Sequence, residues 1–214
     1  VTWIDISPYR LRHRGPNRGA RAGQYVIGTA NEGDLFGGSR GFSVFRRDGQ
    51  LLYDTGSSFD RTAVLHGHYP EDRSKNKGSE PEAIEFARFG GESYIFVGSE
   101  RGSFVAVYTL SPMPTLKQIL PAPLGPEGLL AIPSRNLLVA SGENDDPKFG
   151  VRSTMMIYEL QPEDPTYPQI VSTNDEEGNP IGWSALSGMV ASGNGDHEML
   201  AVWDSFYSES RIFT

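Results

Sequence analysis

A paired acidic motif recurs along this 214-residue chain at a spacing that few folds can use. In its clearest copy, Ser79-Glu80-Pro81-Glu82-Ala83-Ile84 leads into an apolar stretch, Ser93-Tyr94-Ile95-Phe96-Val97-Gly98. Ser99-Glu100-Arg101-Gly102 follows, and then a second apolar stretch at 104–110. The pattern returns as Gly125-Pro126-Glu127-Gly128-Leu129-Leu130, an apolar run at 136–140, Ser141-Gly142-Glu143-Asn144 and a further run at 154–160. A looser copy carries Ser187 and Asp204 at the two acidic positions, with strands at 199–203 and 211–214. Near the start, 24–28, then Thr29-Ala30-Asn31-Glu32-Gly33-Asp34, then 41–45 read as the later part of one more copy, whose first strand lies upstream.

The spacings agree with one another. Glu82 and Glu100 are 18 residues apart, Glu127 and Glu143 are 16 apart, and Ser187 and Asp204 are 17 apart. Between copies, Glu82 to Glu127 is 45 residues and Glu100 to Glu143 is 43. A blade of four short strands takes ~40–50 residues, the period of common propeller repeats. The runs are short, rich in Val, Ile, Phe and Tyr, and bounded by Gly, Ser, Asn and Asp, as strands are. With 25 Gly and 15 Pro, every stretch long enough for a helix is interrupted, so none is expected. The fold class is therefore all-β, with about four β-propeller blades, the first and last incomplete. A β-sandwich would also show turns at such intervals, but gives no reason for acidic pairs at a blade period. So few blades would leave strand edges and an apolar face open. Closure then calls for the rest of a parent chain or for other protein subunits.

Charge narrows the partners. The formal net charge is −8, whereas nucleic-acid binding needs clustered cations, so no nucleic-acid partner is expected. The one basic cluster, Arg10, Arg12, Arg14, Arg18 and Arg21, sits among Gly, Pro and Asn and reads as a solvated loop. No apolar run approaches the ~18 residues of a transmembrane segment. There is no Cys, which excludes disulfides and thiolate chemistry. The chain opens on Val1 rather than Met, which suggests processing or a stretch of a longer protein.

Propeller symmetry predicts where the acids meet. Glu82 and Glu127 belong at one level of the channel. Glu32, with Asp34 beside it, belongs at a second level with Glu100, Glu143 and Asp204. Converging carboxylates repel, and desolvation worsens the repulsion. A hard cation relieves it, and calcium, with six to eight oxygen ligands in flexible geometry, is the expected cofactor. Two alternatives stand beside metal binding: acids that only accept backbone N–H bonds in turns, and acid–base catalysis, for which no catalytic residue can be named. Lys77, Arg101 and Arg211 are the cations placed to meet an anionic substrate. His66-Gly67-His68 sets two imidazoles close together, in a stretch from 61 to 77 polar enough to be a loop. The oxygen-rich runs 144–146 and 174–179 lack EF-hand spacing and read as surface loops. No HExxH, GxSxG, phosphate loop or dinucleotide fingerprint occurs.

Several of these runs carry a family resemblance. Gly23–Asp34, Gly38-Ser39-Arg40-Gly41-Phe42-Ser43, Leu52-Tyr53-Asp54-Thr55-Gly56, Lys77-Gly78-Ser79-Glu80-Pro81-Glu82, Phe96-Val97-Gly98-Ser99-Glu100-Arg101 and Gly125-Pro126-Glu127-Gly128-Leu129 resemble the choice-of-anchor I domain over about 23–160. That family usually has Pro where this chain has Ser79, and Gly where it has Ala83. The resemblance implies a propeller-like module of a secreted, periplasmic or cell-surface bacterial protein. Gly182-Trp183-Ser184-Ala185-Leu186-Ser187-Gly188-Met189, Val202-Trp203-Asp204-Ser205-Phe206-Tyr207 and Ser210-Arg211-Ile212-Phe213 resemble the opening of an esterase-like phytase domain, about 180–214. The expected organisation is thus choice-of-anchor I-like blades over 1–165, then a linker and the first phytase-like blade over 166–214. The expected role is a binding or surface-assembly module that takes calcium. The alternative is a calcium-dependent phosphoesterase whose active site is completed outside this stretch.

Overall fold

The computed structural model describes residues 4–7, 26–33, 36, 38–110, 113–164, 169–204 and 206–214. The arginine cluster and Asp34 lie outside them. Four antiparallel sheets follow one another along the chain. The first joins β1 (Ile4–Ser7), β2 (Val26–Glu32), β3 (Arg40–Arg46) and β4 (Leu51–Asp54). The second joins β5 (Pro81–Phe89), β6 (Glu92–Ser99), β7 (Phe104–Thr109) and β8 (Thr115–Pro121). The third holds β9 (Pro126–Ile132), β10 (Leu137–Gly142) and β11 (Thr154–Glu159), and the fourth β12 (Leu186–Ala191), β13 (Met199–Trp203) and β14 (Ile212–Phe213). Strands pair in sequence order within each sheet, as in blades. The first sheet has four strands rather than a truncated set, because Ile4–Ser7 pairs with Val26–Thr29 across an intervening stretch.

The first and third sheets stack on the second, which is apolar on both faces. Along β6 successive side chains alternate sides. Ile95 and Val97 join a core with Val26, Phe42, Val44, Phe86 and Phe104, while Tyr94 and Phe96 join another with Phe89, Val105, Leu138 and Ala140. β2 packs on β5, and β5 in turn on β9. Gly28 permits the first of these contacts. A Cβ there would lie 2.4 Å from the Phe86 ring and 2.8 Å from Ile84 Cδ1.

The third sheet is covered on one face only. Register aligns Leu130, Val139 and Ile157 across β9, β10 and β11 on the side away from the second sheet. Leu130 is 56% exposed and Ile157 64% exposed. The fourth sheet also leaves Met189, Met199 and Ile212 in solvent. These are the open blade faces expected of an incomplete propeller.

One helix departs from the all-strand expectation. α1 (Ser58–Leu65) follows the first sheet and buries Phe59 and Ala63, one turn apart. The Phe59 ring stacks on Phe104 with centroids 5.3 Å apart, tying the helix to the second sheet. Two apolar positions within eight residues are too few for a helical period to show in sequence. The stretch read as a polar loop at 61–77 is therefore the end of α1 plus a 3₁₀ turn at Glu71–Arg73. Arg40 donates to the carbonyls of Ser74 (2.9 Å) and Asn76 (2.6 Å), and Asp60 Oδ1 accepts from the Ser79 amide (3.2 Å). The segment is thereby pinned against the first sheet just before β5.

Candidate metal centre

Three sheets repeat one backbone device. The Glu100 amide donates to the Glu80 carbonyl (2.9 Å), the Glu143 amide to Gly125 (2.9 Å) and the Asp204 amide to Ala185 (3.0 Å). Each acceptor residue has positive φ: +51° at Glu80, +66° at Gly125 and +46° at Ala185. Each is followed by a register shift, near Pro81, Pro126 and Leu186. A left-handed residue plus a bulge turns the chain into the first strand and re-aims the side chain after it. The acidic motifs are thus structurally equivalent, as their spacing predicts.

Antiparallel pairing decides which acids meet. The start of β5 lies beside the end of β6, because Pro81 pairs with Ser99. Glu82 and Glu100 therefore share one end of the second sheet, and Glu127 and Glu143 share the matching end of the third. The two expected levels merge into one cluster. Carboxylate oxygens of Glu82, Glu100 and Glu127 all lie within 4.8 Å of one another, and so do those of Glu32, Glu80 and Glu82. Glu143 is exposed and acts on Glu100 by its charge. Asp204 holds the equivalent backbone position in the fourth sheet but belongs to neither group.

The electrostatics divide the cluster in two. Glu80 is 1% exposed and takes three cations. Lys77 Nζ lies 2.6 Å from its Oε1, while Arg73 Nη2 (2.9 Å) and Arg101 Nε (3.0 Å) meet its Oε2. Burial pushes Glu80 up, but hydrogen bonds from Lys77, Arg101 and Arg73 outweigh it and hold the carboxyl below its usual value. Lys77 also reaches Glu32 Oε2 (3.0 Å), and Arg101 reaches Glu100 Oε1 (2.7 Å). Beyond that knot lies an acid-rich half. Burial, a hydrogen bond with Glu127 and the charges of Glu100, Glu127 and Glu32 raise Glu82 from 4.5 to about 8. Burial raises Glu100 to about 7, despite Arg101. Oε2 of Glu82 is buried and has no hydrogen-bond partner among the described residues.

Lys77 and Arg101 are thus brought together, but as partners of Glu80. Arg211 stands elsewhere, 3.7 Å from Glu209. Sequence reasoning missed Glu80 and Arg73 as members of the site. The signal for Glu80 was its alignment with Gly125 in the next copy, which marks a special backbone position. His66 and His68 each set Nδ1 2.8 Å from a backbone carbonyl, Thr62 and Gly102 respectively, and neither joins the acidic groups.

One family model matches part of the chain. Residues 28–113 match the choice-of-anchor I domain. The matched stretch runs from within β2 to beyond β7, and includes Glu32, Lys77, Glu80, Glu82, Glu100 and Arg101. Glu127 and Glu143 lie outside it, and so does 180–214, for which no comparison supports the expected opening of a phytase domain. No curated protein and no solved structure matches the chain.

Proposed function

We propose that the chain is a blade module of a surface-associated bacterial protein, and that Glu82, Glu100 and Glu127 hold a calcium ion at the junction of its second and third sheets. The choice-of-anchor I match over 28–113 supports the setting. Among the described residues no helix is long and apolar enough to cross a membrane. The observation that carries the metal reading is the three-carboxylate convergence within 4.8 Å. Oxygens bound at ~2.4 Å from a calcium ion span up to twice that distance, so all three fit one coordination sphere. The orphaned Glu82 oxygen and the raised affinities for protons are what a cation would relieve. The ion would add a cross-link to two sheets that already meet through apolar packing and two hydrogen bonds, from the Ala131 amide to Glu85 Oε1 (3.0 Å) and from the Tyr158 hydroxyl to the Pro121 carbonyl (2.6 Å).

The module's role is binding or assembly. The Leu130, Val139 and Ile157 row is open to water and wants cover, which suits a chain that joins further blades or another subunit. Phosphoester hydrolysis is the weaker reading. Hydrolysis of a polyanion needs cations free to meet it, and Lys77 and Arg101 are engaged with Glu80. The test is thermal unfolding of chelator-treated protein against added calcium. Calcium should raise the melting temperature in a concentration-dependent way. A melting temperature identical in excess chelator and in excess calcium would overturn the metal reading.

A further inference from the structure

We infer that the fourth sheet and the hairpin before it form a binding site for one neutral sugar ring. A cavity of about 190 Å³ opens there, lined by Asp175, Gly182, Trp203, Tyr207, Glu209 and Arg211 among others. One water occupies ~30 Å³ of liquid, so the space is roughly that of six waters, enough for a single hydroxylated six-membered ring.

The walls are built rather than incidental. Trp203 and Tyr207, both in the lining, lie with ring centroids 5.0 Å apart and tilted by 53°. Phe213 backs the indole at 4.9 Å. The tyrosine ring is set against Gly182, where a Cβ would come 3.0 Å from its hydroxyl oxygen. The segment around Asp175, Pro180, Ile181 and Gly182, which also line the cavity, is fixed to α1 through its neighbours. The Ser172 amide donates to the Leu65 carbonyl (2.8 Å), Trp183 Nε1 donates to the same carbonyl (2.9 Å), and Arg61 donates to the Gly178 carbonyl. Asp175 is oriented by the Asn179 amide on its Oδ1 (2.7 Å).

The lining selects the ligand class. Aromatic faces pack against the C–H faces of a ring, while a few polar groups at the rim set its orientation. Asp175 and Glu209 accept hydrogen bonds, and Arg211 donates. A quaternary ammonium would suit the aromatics but would meet Arg211. A phosphate would suit Arg211 but would meet two carboxylates. A neutral polyol takes both kinds of group.

The experiment is calorimetric titration of the full chain with the methyl glycosides of glucose, galactose, mannose and N-acetylglucosamine. Tetramethylammonium chloride and inorganic phosphate serve as comparisons. Saturable binding of at least one glycoside is expected, weakened about tenfold or more by Trp203→Ala, the equivalent of ~1.4 kcal/mol. Should that variant lose its circular dichroism spectrum, Arg211→Gln, an exposed change, reads the same wall and should weaken binding as well. Glu82→Gln should leave sugar binding intact, so the site stands or falls apart from the calcium reading. Binding of tetramethylammonium or phosphate in place of every sugar, no binding at all, or sugar binding unchanged in both wall variants overturns the inference.

Discussion

Glu82 and Glu127 set carboxylate oxygens within 4.8 Å of each other across the seam between the second and third sheets. Burial and the neighbouring carboxylates raise Glu82 to about 8, so it is largely protonated at neutral pH. The first prediction follows from replacing that proton permanently. Glu82→Gln keeps the shape and still donates to Glu127, so the fold should survive with undiminished stability in chelator. The calcium-dependent rise in melting temperature should disappear, because one of the three oxygen ligands has become a weaker amide donor. Scanning calorimetry with and without calcium reads both effects.

Stability should fall as pH rises through the neutral range in the absence of metal. Glu82 and Glu100 are raised to about 8 and about 7, above an ordinary value of 4.5, so the folded state binds more protons than the unfolded one between those limits. Their contribution is complete below the unfolded value and is lost as pH climbs through 7 and 8. Glu80 runs the other way. Its lowered carboxyl stabilises above the ordinary value, and the gain is lost only in acid, as pH falls through its own lowered value. Calcium replaces the shared protons and should flatten the slope between pH 5 and 8. Urea midpoints across that range, with chelator and with calcium, check both signs.

Removing the charge of Glu80 should be severe. Lys77, Arg73 and Arg101 converge on one buried carboxylate, so Glu80→Gln takes the shared counter-charge from all three and leaves Lys77 with Glu32 and Arg101 with Glu100. Breaking a buried ionic arrangement by deleting one partner costs about 3 kcal/mol or more. Chemical denaturation of the variant should show a loss of that order. High salt should restore part of it by screening the cations.

The blade repeat was legible because its devices are written in residue types: acids at fixed spacing, Gly and Pro at the turns, alternating apolar runs. Even the looser copy was readable, and Asp204 takes the same backbone bond as Glu100 and Glu143. The merging of the acidic levels was not legible. It depends on Pro81 lying opposite Ser99, a register that no single motif states. Lys77 and Arg101 stood out as cations near the acids, but their assignment to Glu80 needed the positive φ that turns Glu80 inward. Arg73 was hidden in a polar stretch whose order comes from Arg40, 34 residues before the Ser74 carbonyl that it holds, and from Asp60 on the Ser79 amide. α1 was hidden by its brevity, since Phe59 and Ala63 alone face the core.

The shared left-handed residue yields the last prediction, because Glu80, Gly125 and Ala185 adopt the same conformation with different side chains. A non-glycine residue there costs roughly 1–2 kcal/mol. Ala185→Gly removes that strain, but glycine also frees the unfolded chain by roughly 0.4–1 kcal/mol. Relief exceeds loss, so Ala185→Gly should stabilise by about 0.5–1 kcal/mol, the difference between those two effects. Gly125→Ala should do the reverse and more. It adopts the strained conformation, and its Cβ would lie 2.8 Å from Asn144 Oδ1 and 3.2 Å from Glu143 Cγ. A loss of about 1–2 kcal/mol is expected, with displacement of the Glu143 turn weakening any calcium response. Paired denaturation curves decide it: if both substitutions shift stability in the same direction, the two residues do not perform equivalent turns.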